Sequence, residues 1–98
     1  MKTVYKYTAL IVDDFEIDMP VGAQILHVDM QHGQPRIWAL VDPDAPKKAR
    51  KFHLAGTGHP IDDKIAASKY VGTFMTPNQM LVFHLFEVPA PAREEEEP

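Results

Sequence analysis

Ala23–Pro43, AQILHVDMQHGQPRIWALVDP, is the stretch whose reading decides the fold. Two apolar runs flank His32–Gly33, with Gln31 and Gln34 on either side. With His32 and Gly33 as the central turn residues, the pairing register follows. Val28 faces Ile37 and Leu26 faces Ala39. On the opposite face Asp29 meets Arg36, His27 meets Trp38 and Ile25 meets Leu40. Apolar pairs and one opposite-charge pair in a single register are what a stable antiparallel hairpin requires.

Working outward, Lys2–Tyr7 is rich in Thr, Val and Tyr and reads as a strand. Phe15-Glu16-Ile17-Asp18-Met19 alternates, with Phe15, Ile17 and Met19 inward. Pro20 ends that strand because proline cannot donate to a ladder. Asp42–Pro46 reads as a loop, Arg50–Ala55 as a short strand, and Asp62–Ser68 as one or two helical turns opened by acids. Tyr70–Met75 is a strand whose Gly72 marks a bulge or a close backbone approach. Met80–Val88 carries Leu81, Phe83 and Leu85 on one face and Met80, Val82 and Phe86 on the other. Such a strand is expected in the middle of the fold, covered twice. About seven short strands and one short helix predict a mainly β fold, a small antiparallel sandwich or partly open barrel, with the helix over one end.

Ninety-eight residues suit one domain, 1–89, with 90–98 an acidic tail expected to be disordered. The absence of cysteine excludes disulfides, thiolate metal sites and a cysteine nucleophile. The longest apolar run near the N-terminus, Ala9–Val12, is too short for a secretory or membrane segment, so no membrane role is expected. The net charge of −4 resides mostly in Arg93–Pro98; without it, nine basic residues face ten acidic ones. Direct nucleic-acid binding needs a clustered positive patch. The candidate, Lys47-Lys48-Arg50-Lys51, reads as a solvated loop or an edge-strand guard.

Chemistry-bearing residues are few. Gly56-Thr57-Gly58-His59-Pro60 concentrates special backbone, and with His84 forms the candidate ligand site, its amides suited to an anion. It lacks the ending of a phosphate loop and the third glycine of a dinucleotide fingerprint. His53, His59 and His84 would make an open zinc site if their strands were neighbours, but no ligand spacing supports this, and neither metal nor cofactor is expected. Ser68 is the lone serine and has no nucleophile setting, so no catalytic residue is assigned. Tyr5, Tyr7 and Trp38 form the candidate interaction surface.

The ordered segments Lys2–Tyr7, Pro20-x-Gly22-Ala23, Trp38–Pro43, Gly56–Pro60, Gly72-Thr73-Phe74 and Val82–Glu87 have a further meaning. Together they resemble a family of short, uncharacterised proteins of tailed bacteriophages and prophages, over residues 1 to about 88. The resemblance implies a phage-encoded protein in the host cytoplasm. In that setting the leading expectation is an accessory module that binds a host protein or complex, a defence factor among the candidates. A homodimer is compatible with it. The alternatives are a binder of a small anionic ligand and a histidine-dependent enzyme using the Gly56–Pro60 loop.

The hairpin generates a first prediction. Gly33 is expected at a positive φ that a β-branched residue fits badly. Gly33→Val lowers stability by about 1 kcal/mol or more in denaturant melts; an unchanged midpoint contradicts the turn.

Overall fold

The structure is a computed structural model that describes residues 1–89; the expected acidic tail, 90–98, lies outside the described residues. Seven strands form two antiparallel sheets. The strands are β1 (Thr3–Thr8), β2 (Asp14–Pro20), β3 (Gln24–Gln31), β4 (Gln34–Val41), β5 (Lys47–Gly56), β6 (Lys69–Met75) and β7 (Val82–Val88). One sheet has the order β1-β4-β3 and the other β2-β5-β7-β6. The fold is a small sandwich, as the alternation of apolar residues predicts.

The β3–β4 hairpin turns through His32 and Gly33, both at positive φ (53° and 78°), as a type I′ turn requires. Val28 pairs with Ile37, Asp29 with Arg36 and His27 with Trp38, in the expected register. Beyond His27 the register shifts. Ile25 pairs with Ala39 and Gln24 with Leu40, so Leu26 is an extra residue in a β-bulge and does not face Ala39. The bulge turns Leu26 outward while Ile25 packs on the core.

The inward faces meet in one core. Ile37, Ala39 and Val41 of β4 and Val28 of β3 lie against Phe15 and Met19 of β2, Phe52 and Leu54 of β5, Phe74 of β6 and Leu85 of β7. The Phe15 and Phe52 rings stack at 5.4 Å between centroids. β3 and β6 pack closely where the two sheets approach. There a Cβ on Gly72 would stand 2.6 Å from Val28 Cγ1. Glycine is therefore required for closure, and β6 carries its expected bulge beside it, at Val71.

A polar clasp ties the four-stranded sheet to the connection that leads into β3. Arg50 points inward from β5, makes a two-pronged ion pair with Glu87 of β7, and donates from Nη1 to Ala23 O at 2.9 Å. The hydrogen bond to Glu87 raises the guanidinium pKa above its usual value, against the opposing effect of burial. Burial likewise raises the neighbouring Tyr7 phenol, with Tyr5 adding to the effect.

Several sequence expectations are corrected. β5 begins at Lys47, because β2 pairs along Lys47–His53; the basic cluster is therefore strand and not loop, and because β7 joins only from Lys51, Lys47–Arg50 are paired on one side alone. β7 begins at Val82, because the 3-10 turn Pro77–Gln79 takes up the preceding chain and leaves Met80 and Leu81 exposed outside the strand. β7 is central in its sheet, but the sandwich has only two layers, so its outer face is half-buried by neighbouring side chains and not covered by a third layer. The helix α1 is one turn, Asp63–Ala66, capped by Asp62, whose carboxylate accepts from Lys64 N at 2.8 Å. It belongs to the β5–β6 crossover, and Ile65 shares a furrow with Asp14, His53 and Val88 on the outer face of the four-stranded sheet, not over an end.

Gly72→Ala forces Val28 or the bulge to shift and lowers stability by about 1–3 kcal/mol. In a double-mutant cycle with Val28→Ala, the pair costs less than the sum of the single changes. Strict additivity contradicts the contact.

Candidate functional site

Antiparallel strand order brings four connections to one end of the sandwich. Backbone hydrogen bonds tie them down: Ala9 N to Pro35 O at 2.9 Å, Leu54 N to Asp13 O at 2.8 Å, Thr57 N to Val82 O at 3.1 Å and Thr76 N to Leu81 O at 2.9 Å. This end thus carries Ala9–Asp13, the His32–Gly33 turn, the Gly56–Pro60 corner and Thr76–Leu81. Several large apolar side chains meet solvent here. Leu10, Ile11 and Val12 are about half exposed, as is Met75; Leu81 is 57% and Met80 78% exposed. Asn78 and Gln79 hold positive φ (70° and 57°), a conformation that non-glycine residues adopt at a cost and that projects the Met80–Leu81 tip. A groove of about 320 Å³ runs between this tip and the corner, lined by Gly56, Thr57, His59, Met80, Leu81 and Phe83, with Val82 at its base.

The expected ligand-site residues come together in part. Thr57 Oγ1 lies 2.7 Å from His84 Nε2, and Thr73 Oγ1 lies 2.9 Å from His84 Nδ1. Tyr70 hydrogen-bonds to the same Thr73 hydroxyl. His84 is therefore on the outer face of the four-stranded sheet, with both ring nitrogens held by threonines. His59 folds back over Gly56, its ring 3.1 Å from the position a Cβ would take there. Its backbone N donates to Gly56 O at 3.1 Å, and Thr57 N donates to Val82 O. Two of the three successive amides at Thr57, Gly58 and His59 are thus committed within the fold. An anion cradle needs several convergent amides, and this corner uses most of its own to turn.

His53 Nδ1 lies 2.8 Å from Asp14 Oδ1 on that outer face. His53 and His59 border a second groove of about 320 Å³ with Asp13, Leu54, Ala55 and Pro60. Among the described residues, no three His, Asp or Glu side chains converge to hold a metal ion.

The aromatic candidates divide between faces. Trp38 points outward from β4, beside His27 at 6.0 Å between ring centroids. Tyr5 and Tyr7 pair with Ala39 and Ile37, so they lie on the inward side of β1, edge to face at 6.4 Å. They do not form one surface with Trp38, because the pleat sends successive positions of a ladder to opposite faces. The exposed apolar end was not singled out from the sequence. Its signals were the Ala9–Val12 run, which fits neither a strand nor a leader, and Met80-Leu81 directly after a Pro-Asn turn.

A titration with inorganic phosphate, followed by backbone NMR, yields no saturable shifts at Thr57, Gly58 and His59 in the millimolar range. Saturation there would restore the anion-cradle reading.

No curated protein and no solved structure matches the chain. Among the described residues, no helix is long and apolar enough to cross a membrane. A family described as a domain of unknown function (DUF7352) matches residues 1–96, nearly the full chain. A sandwich with an apolar loop end and a threonine-held histidine is thus the form that this sequence gives to a member of the DUF7352 family, to which the chain belongs.

Proposed function

We propose that this chain is a binding module that engages a protein through the apolar end of the sandwich. One observation carries the reading: Leu10, Ile11 and Val12 on the β1–β2 connection, and Met75, Met80 and Leu81 where β6 leads into β7, are all exposed at that end. Soluble domains seldom leave large apolar side chains grouped in water without a partner to cover them. Methionine at such a tip adapts its shape to an apolar recess. The strained φ values at Asn78 and Gln79 support a displayed tip, since the chain bears a backbone cost to present it.

The resemblance to phage proteins supports a host protein as the partner and the bacterial cytoplasm as the place of action. Binding then blocks or redirects that partner, a defence factor among the candidates. Catalysis is disfavoured by the site chemistry: both nitrogens of His84 are hydrogen-bonded to threonines and the loop amides are mostly spent.

The test compares matched variants in capture from infected host lysate with mass spectrometry, and in the phage phenotype. Leu81→Glu and Ile11→Glu leave stability within about 0.5 kcal/mol, because both side chains are exposed. They lose a partner that the wild-type chain captures. His59→Gln and His84→Asn, checked for folding, retain it. Retention by the glutamate variants contradicts the proposal, as does loss confined to a well-folded His59→Gln variant.

A further inference from the structure

The sandwich has four edge strands, and three of them carry devices that discourage pairing with another chain. β3 is bulged at Leu26 and β6 at Val71. β2 ends in Pro20 and presents Glu16 and Asp18. β1, TVYKYT, differs: its pairing with β4 is unbroken over Thr3–Thr8, it has no proline, and it is exposed along most of its length. Val4 is 50% exposed and Tyr5 39%.

The direction of its hydrogen bonds follows from one contact. Ala9 N donates to Pro35 O, so in the alternating antiparallel pattern Tyr7, Tyr5 and Thr3 direct their backbone groups to β4. Val4, Lys6 and Thr8 therefore turn N–H and C=O to the open edge.

We propose that this edge pairs with a second copy of the chain, β1 against β1 about a two-fold axis through Tyr5. In this register Val4 of each copy faces Lys6 of the other, and these are the residues whose backbone groups are directed outward. Tyr5 meets Tyr5 at a non-hydrogen-bonded position, where side chains across a ladder are closest. The charges select the register. An axis through Lys6 sets two ammonium groups opposite each other, and one through Val4 sets Lys2 opposite Lys6. The Tyr5 axis sets Lys2 opposite Thr8 and avoids both clashes. The two three-stranded sheets then join into one of six strands, with both inner faces on the same side. The Met80–Leu81 tip belongs to the other sheet, away from this edge, so the dimer displays two such tips.

The experiment uses the full chain. Sedimentation of the wild type, at concentrations on the order of 100 μM where weak interfaces associate, gives a species of twice the monomer mass. Val4→Pro removes an edge-facing donor and leaves the β4 ladder intact; it weakens association about tenfold or more while retaining the native circular dichroism. Because the chain has no cysteine, Tyr5→Cys offers a single thiol. Under mild oxidation it forms a disulfide-linked dimer much faster than His32→Cys, whose thiol lies at the far turn. A wild type that stays monomeric overturns the proposal. So does a folded Val4→Pro that associates as the wild type does, or Tyr5→Cys cross-linking no faster than His32→Cys. If Val4→Pro fails to fold, the comparison of cross-linking rates decides.

Discussion

The closest approach of the two sheets occurs where Val28 seats on the bare α-carbon of Gly72. Any side chain at that position of β6 would hold β3 away. The inward row of Ile37, Ala39 and Val41 would then lose its contact with Phe52, Leu54 and Leu85, which form the opposite wall of the core. Close packing makes such losses expensive, because interior voids forfeit dispersion contacts on every side. The Arg50 clasp acts in the same direction by a different means. Its guanidinium is paired with Glu87 inside the four-stranded sheet and donates to Ala23 O at the entry to β3, so moving β3 away would cost that charge-assisted hydrogen bond.

With the sheets fixed relative to each other, the loop end is fixed too. Ala9–Asp13 is tied to both sheets through Pro35 O and Leu54 N, and the Gly56–Pro60 corner is tied to β7 through Val82 O. The apolar side chains there are carried on an anchored frame, and under the proposed reading a partner would pay less for ordering loops than on a slack surface. The outer face of the four-stranded sheet has a different character. Its histidines are occupied by Asp14, Thr57 and Thr73, which makes them part of the frame.

Much of this fold is legible in the sequence, for identifiable reasons. Alternation around His32–Gly33 sets the hairpin register, because one face is buried and a slip would expose it. Gly72 reads as a close approach because a glycine within a β-branched and aromatic run has little other use. The bulge at Leu26 is not legible, since Ile25 and Leu26 are both apolar and either could take the inward position. Met80 and Leu81 read as strand for a related reason: hydrophobicity marks burial, and these two are apolar yet exposed. Of the candidate site, the association of Thr57 with His84 is legible only on the condition that their strands are neighbours, which the β5–β7 pairing supplies. The division of Tyr5 and Tyr7 from Trp38 requires knowing which strand pairs with β4 and in which phase.

The sheet-to-sheet contact is the claim on which the core, the clasp and the loop end all rest. A methyl-resolved nuclear Overhauser spectrum measures it directly. A strong cross-peak between the Val28 γ methyls and the Gly72 α protons, with further peaks from Val28 to Ile37 across the hairpin, is the predicted result. A spectrum that keeps the Val28–Ile37 peaks but shows none to Gly72 would contradict the account, because the hairpin would then be formed without the second sheet lying against it.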